Sequence, residues 1–430
     1  MKLILLEDLK VGADARFLLQ SMVFRASEFL AGSLRINTLA KKLCLTERLV
    51  RNGMQELVEA DLFVSRKAAG KVGHPVQEYE ASQLLRDRIA QIGESESVHR
   101  DLIVRLFSEP EIYALGPFPA DKGDADKGGE RPARKLTRKD GRPAAPGAKG
   151  RLAASTRVLL TALLSVADHC GVATGVGEAR LREMTGLNAL SLKHQVKRLI
   201  SLGFIRSLAS GVSSGIFFKA KVPTIYYLNL DHPQLCPTRG ERGLVVYVTH
   251  GAAFDRLATG VPSTQALMAL GPAALNMMYH KLSGHTSRLL SAIWAEPDEA
   301  HSELKAAIAA EIADELEKLW IDAPKDEGFY WAETHENFHS AVCEWAGMLH
   351  QRLRRWKVWQ SYKPQQIRLI PAPHRRDGLS ITSLVVYPAP RSRVTCLVVW
   401  DTFQGSVDRY GSEADLDLAV RCEAGLLTET

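Results

Sequence analysis

One stretch of 21 residues recurs in this chain 142 positions further on, first as Thr38–Val58 and then as Arg180–Ile200. At that offset Leu39 meets Leu181, Leu45 meets Leu187, Val50 meets Leu192, Met54 meets Val196, Leu57 meets Leu199 and Val58 meets Ile200. In the second half of each copy the apolar residues fall at i, i+4, i+7 and i+8, the spacing of one helical face packed on a small core. Thr46 and Asn188 stand just before those stretches, where a short side-chain oxygen can accept a hydrogen bond from an otherwise unpaired backbone N–H. Each copy therefore predicts a short helix, a tight turn and a capped second helix. Apolar exits, Leu62-Phe63-Val64 and Phe204-Ile205, then lead into hairpins.

The face opposite the apolar stripe must be solvated or must touch a partner. In copy two it carries Lys193, His194, Gln195, Lys197 and Arg198; in copy one it carries Arg48, Arg51, Asn52 and Gln55, diluted by Glu47, Glu56 and Glu59. All of the first set and most of the second can donate to phosphates or base edges. Helix, turn, helix and hairpin make a winged helix, and two of them in one chain point to duplex DNA. Copy two reads as the stronger DNA reader, copy one as a weaker reader or a dimer-forming unit. Winged helices also serve as protein-interaction modules, so a protein-binding adaptor is a rival reading.

With 430 residues, the chain is expected to hold two to four domains. Lys and Arg total 55 against 49 Asp and Glu, and the net charge of +6 favours a polyanionic partner only mildly. The six cysteines are widely spaced, with no CxxC pair, as expected of a reduced intracellular protein. The apolar stretch at the N-terminus is too short for a signal peptide, and no apolar run approaches the roughly 20 residues of a membrane span. A cytoplasmic, nucleoid-associated protein without a membrane partner is the expectation.

Composition and periodicity divide the chain into five parts. Residues 1–81 form the first winged helix, opening on a helix over 13–31 and closing on strands at 62–67 and 76–80, with Lys71 in the wing tip. Residues 82–117 read as an amphipathic helical extension of the kind that mediates dimerisation, broken near Gly93. Between Phe118 and Arg151 there are ten basic residues, five acids and few apolar ones, which predicts a disordered basic linker. Gly141-Arg142-Pro143 within it resembles the core of an AT-hook, which lays an arginine in the minor groove, with Asp140 where the hook has a basic residue. Residues 152–235 form the second winged helix: a helix over Ser155–Cys170, the repeat, wing strands at 205–210 and 216–221 carrying Lys219 and Lys221, and a closing strand Ile225–Leu230. All seven tryptophans lie in the remainder, 236–430, expected to be a mixed α/β domain with helices at Glu303–Trp320 and Glu336–Tyr362 and strands at 366–370, 379–387 and 394–402. The fold class is thus α+β.

Three further patterns bear on chemistry. His335-Glu336-Asn337-Phe338-His339 matches H-E-x-x-H, in which two histidines one helical turn apart hold zinc and the glutamate activates water. His335 and His339 are thus metal-ligand candidates, with Glu344 or His350 as a third; the alternative is two histidines on a partly exposed helix face. Gly211-Val212-Ser213-Ser214-Gly215 matches the G-x-S-x-G nucleophile elbow, but its flanks are two strands rather than strand and helix, so a wing turn fits better. Arg352, Arg354, Arg355 and Lys357 alternate with Trp345, Trp356 and Trp359, which suits either base stacking or a helix with a tryptophan core face. No catalytic residue or cofactor is expected.

The tandem repeat resembles the bacterial winged-helix transcription regulators. It is also similar to the initiator class of plasmid and mobile-element replication proteins, in which paired winged helices bind repeated origin sites. Residues 155–232, from Leu187-Asn188 through Val196-Lys197-Arg198-Leu199 to Tyr226-Tyr227-Leu228-Asn229-Leu230, resemble replication proteins of genomic islands. These resemblances imply a double-stranded DNA partner, with transcription regulation first and replication initiation second; the 82–117 extension adds the expectation of a homodimer, and the H-E-x-x-H motif a zinc metallopeptidase-type regulator as the third reading.

Overall fold

The computed structural model describes residues 9–30, 32–68, 76–91, 97–114, 151–211, 222–236, 241–250, 272–297, 299–319, 328–356, 364–371, 379–388, 395–401 and 405–428. Lys71, Arg142, Lys219, Lys221, the 216–221 strand and most of the 118–151 linker lie outside these residues.

Copy one is built from α1 (Ala13–Phe24), α2 (Ala26–Phe29), α3 (Ile36–Lys42), α4 (Glu47–Glu59) and an antiparallel hairpin of β1 (Phe63–Ala68) and β2 (Val76–Ala81). The helix expected over 13–31 is two helices, because Arg25 leaves the helical region with φ −114° and ψ 40°. Thr46 caps α4 by accepting from Leu49 N at 3.2 Å, as its position in the sequence predicts. The extension consists of α5 (Gln83–Gln91) and α6 (Arg100–Ser108).

Copy two repeats the order with α7 (Ala154–Leu164), the short β3 (Val172–Ala173), α8 (Glu178–Thr185), α9 (Ala189–Ser201), β4 (Ile205–Ala209) and β5 (Ile225–Leu228). Its first helix ends earlier than expected. Asp168 Oδ1 accepts from the N–H groups of Cys170 at 3.0 Å and Val172 at 2.9 Å, so a turn replaces the last helical turn. Asn188 caps α9, accepting from Ser191 N at 2.8 Å. β4 pairs with β5, the segment expected only to close the unit, and β5 pairs in turn with β3.

The two copies share one core. Leu18, Met22, Val50, Met54 and Leu57 from the first join Leu159, Leu163, Leu181, Leu192 and Leu199 from the second. α1 lies against α7, and α6 packs on both. Phe107 of α6 stacks on Phe17 at 5.3 Å between ring centres and meets Phe24 edge-on at 5.4 Å. The apolar face of α6, with Ile103 and Leu106 buried, is therefore filled inside the chain rather than left open for a second copy. Tyr113 of the extension bridges to Arg151, and Arg151 is buried, which places it in the fold rather than in the linker.

The last part holds β6 (Gly243–His250), α10 (Pro272–Ala295), α11 (Ser302–Leu319), α12 (Gly328–Arg354), β7 (Gln366–Ile370), β8 (Leu379–Tyr387), β9 (Cys396–Asp401), β10 (Ser406–Tyr410) and α13 (Leu418–Glu423). Its sheet runs β10-β9-β6-β8-β7, with β6 parallel to β9 and antiparallel to β8. Side chains alternate between its two faces. Val245, Tyr247, Leu384, Val386, Leu397 and Val399 face the three long helices, while Leu244, Val246, Val248, Val385 and Val398 face the other way. That second face is covered by Ile225 and Tyr227 of copy two, so the β3-β5-β4 sheet and the larger sheet pack together. Polar clamps reinforce the junction. Asp168 Oδ2 accepts from Arg368 Nε at 2.5 Å and Gln366 Nε2 at 3.1 Å, and buried Arg206 of β4 pairs with Glu413. The whole is a mixed α+β fold, as expected, with β3, β6, β10, α10 and α13 not foreseen. Among the described residues, no helix is long and apolar enough to cross a membrane.

Candidate nucleic-acid interface

Position on a helix decides which expected reading residues can reach a ligand. On α9, Lys193, His194 and Lys197 are exposed along one face. Gln195 and Arg198 are not on that face. Gln195 flanks the buried Leu192–Leu199 stripe, and its Oε1 accepts from Thr156 Oγ1 on α7 at 2.5 Å. Arg198 is half-buried, with its Nε lacking a hydrogen-bond partner. Gln195 is thus engaged in the packing of α9 on α7, and Arg198 is less exposed than the lysines beside it. In their place stands Leu190, 80% exposed, one turn ahead of Lys193 and His194.

On α4 the expected face is presented as read. Arg48, Arg51, Asn52 and Gln55 are all exposed, although Gln55 Nε2 donates to Glu59 Oε1 at 3.0 Å. Glu56 does not dilute this face. Its carboxylate turns inward and accepts from Gly12 N at 2.7 Å, capping α1 where the helix dipole favours an anion. Beside α4 the exposed Arg66 and Lys67 on β1 add positive charge that was not singled out from the sequence, with Arg66 held 3.2 Å from Glu80. After β4 the described residues run to Gly211, whose N–H donates to Thr224 Oγ1 at 3.0 Å.

Two buried arginines fix how the copies sit. Arg16 and Arg157 occupy the same place, four residues after the N-caps Gly12 and Ala153. Each donates its Nε to the carbonyl five residues back, Val11 at 3.0 Å and Leu152 at 3.2 Å. Each then reaches across to the C-terminal end of a helix on the other side of the seam. Arg16 Nη1 donates to Met184 O of α8 at 3.3 Å, and Arg157 Nη1 donates to Leu106 O of α6 at 3.0 Å and to Glu109 O at 2.6 Å. Such carbonyls lack helical partners and carry the negative end of the dipole, so a guanidinium satisfies both needs. Burial pulls the Arg16 guanidinium below its ordinary value and that of Arg157 down to about 10, which leaves both charged at neutral pH. The turn of copy two closes the seam, because Gly186 packs against the Val11 carbonyl.

The other candidate sites are engaged elsewhere. His335 Nε2 lies 2.6 Å from the Ala309 carbonyl on α11, and His339 Nε2 lies 3.6 Å from Cys343 Sγ. Among the described residues no three or more His, Cys, Asp or Glu side chains converge as a metal site. In the Trp-Arg helix, Trp345 is buried against Tyr279. Arg352 Nη1 donates to Thr249 Oγ1 at 3.1 Å and lies 3.5 Å from Asp401, so it braces α12 on the sheet. Lys357 and Trp359 lie outside the described residues. No family model, curated protein or solved structure matches the chain.

Proposed function

We propose that the protein binds duplex DNA in a sequence-specific way through two winged helices and regulates transcription by doing so, without chemistry of its own. The observation that carries this reading is the pair of capped second helices, α4 and α9, which share one core and each turn an exposed cationic row outward. Lys193, His194 and Lys197 enter the major groove from copy two, and Arg48, Arg51, Asn52 and Gln55 from copy one. Arg66 and Lys67 on the first wing strand neutralise flanking phosphates. Because the Arg16 and Arg157 clamps hold the copies together, one chain presents both reading helices, and a homodimer is not needed to span two half-sites.

The two faces differ in sequence, so the site of one chain has a direction. That asymmetry favours a second reading, replication initiation at direct repeats. Selection of bound fragments from the DNA of the source replicon separates them: inverted repeats over promoters support regulation, and direct repeats beside an AT-rich tract support initiation. The underlying DNA reading is tested by replacing Lys193 and Lys197 with Ala. Affinity should fall, and the slope of log affinity against log salt should flatten by about 2, one phosphate contact per lysine. Unchanged affinity and slope would remove α9 from the interface.

A further inference from the structure

We propose that Leu190 reads the C5 methyl group of a thymine, so that the half-site of copy two contains a thymine that uracil cannot replace. This rests on the DNA reading above and adds its base identity. Leu190 is 80% exposed, whereas the other exposed large hydrophobic residues among those described lie between 37% and 48%. Its place is the first turn of α9, two residues after the Asn188 cap, and the N-terminal residues of a recognition helix are those that face base edges. Lys193, His194 and Lys197 follow at i+3, i+4 and i+7, so the leucine heads a row of exposed cationic and donor groups.

That setting selects the partner. An apolar protein surface seated on Leu190 would strip water from two lysines without giving them counter-charges, a costly desolvation. The major groove offers both kinds of contact within one helix width, phosphates for the lysines and, as its one apolar feature, the thymine methyl. Leucine has no donor or acceptor with which to read any other base edge.

The test uses the full-length chain and a duplex enriched from a random-sequence pool. The duplex is resynthesised with deoxyuridine in place of thymidine, one position at a time, which removes the methyl and nothing else. The parent protein should lose about fourfold in affinity at one or two positions, the worth of one buried carbon at about 0.8 kcal/mol. Leu190→Ala should bind the thymine and uracil duplexes alike, while keeping the parent's salt slope and thermal melt. Parent binding that ignores uracil throughout, or a Leu190→Ala protein that still discriminates, would overturn the inference and leave the DNA reading standing. A pool from which no duplex is enriched would overturn both.

Discussion

Replacing Gly186 with Ala should loosen the seam between the two copies. Gly186 has φ +69°, a left-handed conformation that costs an L-residue roughly 1–2 kcal/mol. A Cβ there would also overlap the Val11 carbonyl oxygen, come within 2.9 Å of Arg16 Nε and 3.0 Å of the Gly12 carbonyl carbon. Two of these three are backbone atoms, so the α8 turn must move away from the start of α1. The move stretches the Arg16 bond to Met184 O, already 3.3 Å, and a hydrogen bond to a buried charge contributes about 1.5–3 kcal/mol. Together the terms give a loss of about 2.5–5 kcal/mol. The midpoint of the first urea transition, followed by circular dichroism, measures it. Cys44 provides the contrast: it takes the matching place in copy one with φ 52°, so Cys44→Gly relieves strain and should stay within about 1 kcal/mol of the parent. A Gly186→Ala protein as stable as the parent would refute the seam as described.

Two more outcomes follow from buried groups. Asp168→Ala removes the acceptor for two backbone N–H groups, Gln366 and Arg368, and should destabilise by about 3 kcal/mol, while Asp168→Asn, which keeps the turn-capping oxygen and loses only the ion pair, should lose less; equal losses in urea melts would show that the turn cap contributes nothing. Acid should unfold the protein early. Burial holds His99, His232 and His280 neutral, each pulled down to about 4, so as pH falls below about 6.5 the unfolded chain takes up protons that the folded chain refuses. Stability should be level above pH ~6.5 and decline steadily towards pH ~4, and a flat profile across that window in melts at fixed salt would contradict the burial of these rings.

The repeated helices were legible because their information is local. Periodic leucines and the caps Thr46 and Asn188 act within a few residues, and both caps form as the sequence predicts. The first helices of the two copies were harder to align. Ala13-Asp14-Ala15-Arg16-Phe17-Leu18-Leu19 matches Ala154-Ser155-Thr156-Arg157-Val158-Leu159-Leu160 at an offset of 141 rather than 142, so one residue of slippage hides the shared arginine. An arginine in a helix also reads as a surface residue. Backbone carbonyls make its burial tolerable, those at the ends of α6 and α8 together with the one five residues back in its own copy. β6 carries a local strand signal that was not used, the run Leu244-Val245-Val246-Tyr247-Val248-Thr249 of β-branched and aromatic residues, while its central place in the sheet depends on β8 and β9, more than a hundred residues downstream.

The candidate site shows the same division. Period and charge identified the outward faces of α4 and α9, but a helix wheel cannot tell a flank from a face. Gln195 and Glu56 were sorted by what α7 and α1 place beside them, a hydroxyl at Thr156 and the bare N–H of Gly12. The repeated helix pair of each copy and the chemistry of its exposed row are written in the local sequence, because both depend on neighbours within two helical turns. Tertiary contacts bring the copies into one core, set buried guanidiniums between them, and leave a leucine exposed in the first turn of α9. Those outcomes depend on carbonyls, rings and strands brought together from distant parts of the chain, which no local pattern encodes.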